Sequence, residues 1–200
     1  MKYYLAFLLI TLASCHSNEE QPNATDSAAT APKAPAYSAI NEPAATAYNF
    51  LTWYKKNQDN VNAIGFIDND EAVDSTKFYS VNLPATEEYL SALNKSGFVS
   101  KAYLDDWRKY FRQQADSLRA HPQNDGPPNG FQFDLVTRSQ EPEIYLENPR
   151  KAQQHTQLLA PNRALVRLDF TTQAEYPDYR FFYLSRPNSK WLIDSINIDK

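Results

Sequence analysis

Cysteine is nearly absent from this 200-residue chain: Cys15 stands alone, which excludes an intrachain disulfide and any metal site built on several thiolates. Glycine is scarce too. Four glycines leave neither a GxGxxG dinucleotide turn nor a GxxxxGK phosphate cradle. The three histidines, His16, His121 and His155, include no pair at helical spacing, so the HExxH arrangement of zinc hydrolases is excluded. Basic residues number 20 against 24 acidic ones, a formal charge of -4, and they form no stripe. Nucleic acid and anionic headgroups are therefore excluded as main ligands, because phosphate binding needs clustered Lys and Arg. Long apolar runs are lacking as well: Tyr3 to Leu12 spans only about 15 Å as a helix, half of a hydrocarbon core.

What is present begins with an address. Lys2 supplies one positive charge, Tyr3 to Leu12 an uncharged stretch, and Ala13 with Ser14 the small residues of a cleavage site, which together have signal-peptide anatomy. Leu12-Ala13-Ser14-Cys15 resembles a bacterial lipobox. The resemblance implies cleavage between Ser14 and Cys15, a diacylglyceryl group on the Cys15 sulfur and usually a third chain on its amine. Two or three acyl chains make membrane residence effectively permanent, where a single chain does not. The competing reading is a secreted protein cut near Ala13, with Cys15 a stray thiol. His16 in place of Asp resembles the sorting signal for the outer membrane, and Glu19-Glu20 resembles the export signal of Bacteroidota surface lipoproteins. The expected location is the cell envelope, lipid-anchored at the outer membrane and facing the periplasm or the surface.

Three regions follow: a signal peptide over 1–14, a lipidated Cys15 with its tether over 15–40, and one folded domain over 41–200. The tether is rich in Ala, Pro, Ser and Thr and too poor in large apolar groups to offset the entropy of ordering. Asp26-Ser27-Ala28 resembles the short O-glycosylation site of Bacteroidota, against the plainer reading of a solvated stretch.

Inside the domain, Asn41-Glu42-Pro43 reads as a helix start, with Ala44, Ala47, Tyr48, Leu51 and Tyr54 on one face and an end near Asn57. Ala63 to Ile67 is a short ambiguous apolar segment, and Tyr79, Val81 and Leu83 alternate as an extended one. Thr86 with Glu87 and Glu88 opens a second helix that stops near Gly97, and Ser100 caps a third, carrying Tyr103, Leu104, Trp107, Phe111, Ala115 and Leu118 on one face. The period then shortens. Phe131, Phe133 and Leu135 alternate, as do Ala164 to Phe170, Tyr179, Phe181 and Tyr183, and Trp191 with Ile193, while Ile196 and Ile198 suggest a bulge. Helices first and antiparallel strands afterwards predict an α+β domain, three N-terminal helices packed on a curved antiparallel sheet.

Phe50-Leu51-Thr52-Trp53-Tyr54, Ser96-Gly97-Phe98, Asp106 to Phe111, Gly130 to Asp134 and the closing Trp191-Leu192-Ile193-Asp194-Ser195-Ile196 resemble, in this order, an uncharacterised Bacteroidota-type lipoprotein family. Its members are similar to the cone-shaped nuclear transport factor two-like and cystatin-like α+β domains. The resemblance implies a shape and a pocket between helices and sheet; it brings no catalytic residue with it.

The candidates for such a pocket are Asp134, Asp169, Asp194 and His155 as acid or base, with Tyr48, Tyr54 and Trp107 as walls. The plainer reading makes these carboxylates solvent-facing, or paired with Arg138, Arg167 or Arg180. Asp68-Asn69-Asp70-Glu71 invites a calcium reading, but Ala72, Val73 and Tyr79 stand where a third ligand, a glycine and a closing Glu belong. No cofactor and no metal is expected. The partners expected are the lipid bilayer, through acylated Cys15, and an unidentified protein or small molecule. The leading function is a non-enzymatic binding module at the envelope, using the pocket or a sheet face. The alternatives are a small isomerase, hydratase or hydrolase working in the cone, and a periplasmic immunity protein.

Overall fold

The computed structural model describes residues 42–69, 77–171 and 178–199. Ser14, Cys15, the tether, Asn41 and the Asp70 to Val73 part of the acidic run lie outside them.

Helix α1, Pro43–Asn62, starts on a proline whose missing N–H costs nothing in the first turn. It runs a turn further than the sequence predicts. Val61 follows Tyr54 by seven positions, falls on the same side and is buried, while the polar Asp59 and Asn60 face water. The next segment forms a small ribbon, β1 (Ile67–Asp68) against β2 (Ser80–Val81), pairing Ile67 with Val81. Leu83, expected in that extended segment, instead begins helix α2, Leu83–Asn94. The cap is Asn82, whose side chain accepts from the Ala85 N–H at 3.1 Å, and not the Thr86 group. Gly97, at φ +68°, turns the chain out of this helix. Helix α3, Lys101–Ala120, opens as predicted, the Ser100 hydroxyl accepting from the Tyr103 N–H at 3.3 Å.

The segment after α3 departs from the sequence reading. Phe131, Phe133 and Leu135 form no strand. The Asp134 carboxylate accepts from the Thr137 N–H at 2.7 Å and the Thr137 hydroxyl at 2.9 Å, giving the backbone a turn in place of a ladder. A short helix α4, Glu143–Leu146, and a 3-10 turn at Pro149–Lys151 then lead to the sheet.

The sheet has four antiparallel strands in chain order, β3 (Gln153–Ala160), β4 (Arg163–Asp169), β5 (Tyr179–Ser185) and β6 (Leu192–Asn197). It is open, with β3 and β6 at its edges, and the protein is an α+β fold with helices preceding the sheet. The expected bulge exists, as a register shift opposite Tyr183 and Leu184 in β6. One sheet face, carrying Ala164, Val166, Leu168, Phe182, Leu184, Ile193 and Ile196, is buried in the core it shares with α1 and α3. Each large apolar side chain fully buried there contributes about 1.5–3 kcal/mol. Aromatic rings fill much of the interior: Phe111 stacks on Phe131 at 6.3 Å, and Phe66 meets Tyr89 edge-on at 5.2 Å.

Candidate functional site

Of the residues singled out from the sequence, the fold brings Tyr54 and Asp134 together. Tyr54 is carried inward by α1 and is fully buried. Its hydroxyl donates to Asp134 Oδ2 at 2.6 Å, and the Tyr54 hydroxyl oxygen also lies 3.1 Å from Asn62 Oδ1. Burial first, then the neighbouring Tyr89 phenol and the Asp134 carboxylate, pushes the Tyr54 phenol far above its ordinary range, so it stays protonated and acts as a donor. Asp134 lines a groove of about 590 Å³ together with Gln58, Asn62, Phe131, Phe133 and Gln140. Its carboxylate already accepts three hydrogen bonds, two from Thr137 and one from Tyr54. Those bonds hold the 134–139 turn against α1, and a group so occupied is poorly placed to shuttle protons.

Trp107 and Asp194 meet elsewhere, in a recess of about 230 Å³ between α3 and β6 that Arg138 and Tyr110 also line. The Arg138 guanidinium sits 5.5 Å from the Trp107 ring. Asp194 accepts from the Ser185 hydroxyl at 2.9 Å, a bond between neighbouring strands. Tyr103, also on the wall, has a buried hydroxyl without a hydrogen bond of full geometry. Tyr48 is a wall of neither space: it stands half-buried on α1, its hydroxyl donating to the Ala152 carbonyl at 3.0 Å.

His155 and Asp169 lie on the sheet face turned away from the helices. Asp169 accepts from the Thr171 N–H at 2.9 Å; hydrogen bonds from Thr171, with the nearby Arg167 and His155, hold its carboxyl below the usual range. The expected pocket set is therefore divided among three places, with Tyr48 in none of them. Among the described residues, no ion pair joins Asp134, Asp169 or Asp194 to the arginines proposed for them; Arg180 is buried instead, its Nη1 donating to Asp178 at 2.5 Å and its Nε to the Thr137 carbonyl at 2.6 Å. No group of three or more His, Cys, Asp or Glu among the described residues is arranged to hold a metal.

The same outward face carries the aromatic row of β5. Tyr179, Phe181 and Tyr183 alternate along β5, but the side chains sent into the core are Arg180, Phe182 and Leu184. All three outward aromatics are partly buried, each keeping some contact with solvent. Arg167 lies 5.0 Å from the Tyr179 ring, its Nε buried without a hydrogen-bond partner, and Tyr179 and Phe181 contact at 6.2 Å. A shallow depression of about 200 Å³, lined by His155, Gln157, Leu165, Arg167 and Phe181, opens here. No described helix covers this face.

No protein-family model matches the chain, and no curated protein matches it. Among solved structures, the chain is similar to one from the type VI effector-immunity complex Tae3-Tai3 of Ralstonia pickettii, at 19% identity and a TM-score of 0.38, with 80% of this chain and 97% of that chain covered. No helix among the described residues is long and apolar enough to cross a membrane.

Proposed function

We propose that this chain is an envelope lipoprotein, anchored through Cys15, whose domain binds another protein with the open face of its sheet. The observation that carries the reading is the outward row Tyr179, Phe181 and Tyr183 with Arg167 laid against it. Tyr, Phe and Arg are the residues enriched where protein interfaces form, and a continuous row of partly exposed rings is otherwise a solubility cost. Chemistry in an interior pocket has less support: the Asp134 carboxylate serves its own turn, and Asp194 ties two strands together. The anchor rests on the Leu12 to Cys15 sequence, and the tether gives the domain reach from the bilayer. A partner of the toxin class would make the protein an immunity factor, the specific form of binding raised from the sequence.

Native electrophoresis of gently solubilised membranes tests the binding reading. The wild type should migrate as a complex with a second protein, and F181E with Y183E should remove that complex while keeping the circular dichroism spectrum. Unchanged migration of the double variant would refute the sheet face as the site. Alkyne fatty-acid labelling tests the anchor separately: Cys15→Ser should lose the label and leave the membrane fraction.

A further inference from the structure

We infer that strand β3 is a self-association edge, pairing antiparallel with β3 of a second copy so that two four-stranded sheets join into one. The two edges of the sheet are treated differently. At β6, Ile193 donates its N–H to the Phe98 carbonyl at 2.8 Å and accepts from the Ser100 N–H at 2.9 Å, so the chain itself occupies that edge at Ile193. At β3, no described segment pairs with the outer edge, and the strand runs eight residues, Gln153–Ala160.

Exposed edges are normally blunted by Lys, Pro, inward charges or extreme shortness. Gln153-Gln154-His155-Thr156-Gln157-Leu158-Leu159-Ala160 has none of these, and its irregularity, a register shift between Leu158 and Ala160, sits at the hairpin end. Every residue from Gln153 to Leu159 is exposed, so both faces of the strand are open as well as its edge. Leu158 and Leu159 are 64% and 48% exposed.

The choice of a second copy over a foreign strand follows from charge. A two-fold axis sets each side chain against its own copy or near it, and like charges directly opposed are destabilising. This strand carries no Asp, Glu, Lys or Arg, in a chain where 22% of residues are charged. Centred on Thr156 or Gln157, antiparallel self-pairing opposes threonine to threonine or glutamine to glutamine, both able to hydrogen-bond across strands. The first centre also sets Leu158 against Gln154 and Leu159 against Gln153, covering leucines now open to water.

Residues facing each other across an antiparallel pair have Cα atoms about 4.5–5.5 Å apart, within disulfide reach. Full-length protein carrying Thr156→Cys or Gln157→Cys, oxidised mildly in its native membrane, should give a disulfide-linked homodimer absent from the wild type and from Asn197→Cys on β6. Adding Gln154→Lys with Leu158→Lys, both at exposed positions, should abolish it through like charges. Absence of a homodimer at both positions, or one formed equally by Asn197→Cys, would overturn the proposal. So would adducts of Thr156→Cys and Gln157→Cys with a different protein alone, which would assign the edge to a partner's strand. Thr156 and Gln157 also border the depression on the aromatic face. F181E with Y183E alters that face and leaves the β3 backbone edge in place, so a homodimer that persists in that background separates the two assignments.

Discussion

The Tyr54 hydroxyl donates to Asp134 Oδ2 at 2.6 Å, joining residues 80 positions apart and fixing the turn after α3 onto the first helix. A buried hydrogen bond to a charged acceptor contributes about 1.5–3 kcal/mol. Tyr54→Phe keeps the ring in its cavity and removes only the donor, so it should lower the unfolding free energy by that amount. Asp134→Ala removes the Thr137 bonds too and should cost more. A double-mutant cycle in chemical denaturation measures the pair: additive losses would show that the two groups are not coupled.

Gly130 is held at φ +86°, and a Cβ built there would come within 2.4 Å of Gln114 Oε1 and 3.0 Å of the Tyr110 hydroxyl. The same hydroxyl donates to the Gly130 carbonyl at 2.6 Å. Gly130→Ala should therefore destabilise by about 1–3 kcal/mol, combining left-handed backbone strain with displaced partners. Gly65, where an added Cβ meets nothing within 4 Å, is the matched control, and Gly65→Ala should change stability far less. Thermal denaturation of the two variants decides between them.

Acid should weaken one surface network specifically. Arg108 binds Glu87 in two-pronged fashion, its Nε 2.8 Å from Oε1 and its Nη2 2.9 Å from Oε2, and Nη1 also reaches Asp105 at 2.9 Å. Hydrogen bonds from Arg108 lower the Glu87 pKa in the folded state, and bonds from Lys101 and then Arg108 lower that of Asp105. Groups with lowered folded values contribute stability above their unfolded pKa, near 4 for carboxylates, and lose it as pH falls through the folded one. Glu87→Gln should thus reduce the melting temperature slightly at pH 7 and leave it unchanged at the acid end. High salt should shrink the difference, since the network is exposed. An equal reduction at every pH would mean the contribution is packing.

How much of this was legible in the sequence depends on how one-sided each element is. Helix α3 carries its apolar residues on a single stripe with a serine cap, and Ser100 and the Trp107 face stand where the sequence puts them. Strand β4 likewise has a small, regular inner row, Ala164, Val166 and Leu168, and was legible at once. Strand β5 reads Tyr-Arg-Phe-Phe-Tyr-Leu-Ser: both rows are apolar, so alternation identifies a strand but does not say which row enters the core. A buried Arg180, paired with Asp178, completes the disguise. Strand β3 has no alternation to read because both its faces meet solvent, so its residues give no burial signal at all.

The site residues divide for a related reason. Residue type alone marks Asp134, Asp169 and Asp194 as equal candidates, whereas their roles come from neighbours distant in sequence or just downstream: Tyr54 and Thr137 for the first, Thr171 for the second, Ser185 for the third. The Asp134 to Thr137 spacing is the local signal that a turn would win over a strand there.

The central claim, that the aromatic face of the sheet meets a protein, is tested most directly by placing a photo-activatable benzophenone amino acid at single positions and irradiating intact cells. At Phe181 and Tyr183 the account predicts a covalent adduct with another protein, and at Arg119, exposed on the last turn of α3, none. Adducts of equal yield at Arg119, or none at Phe181 and Tyr183 in a folded, membrane-held protein, would contradict it.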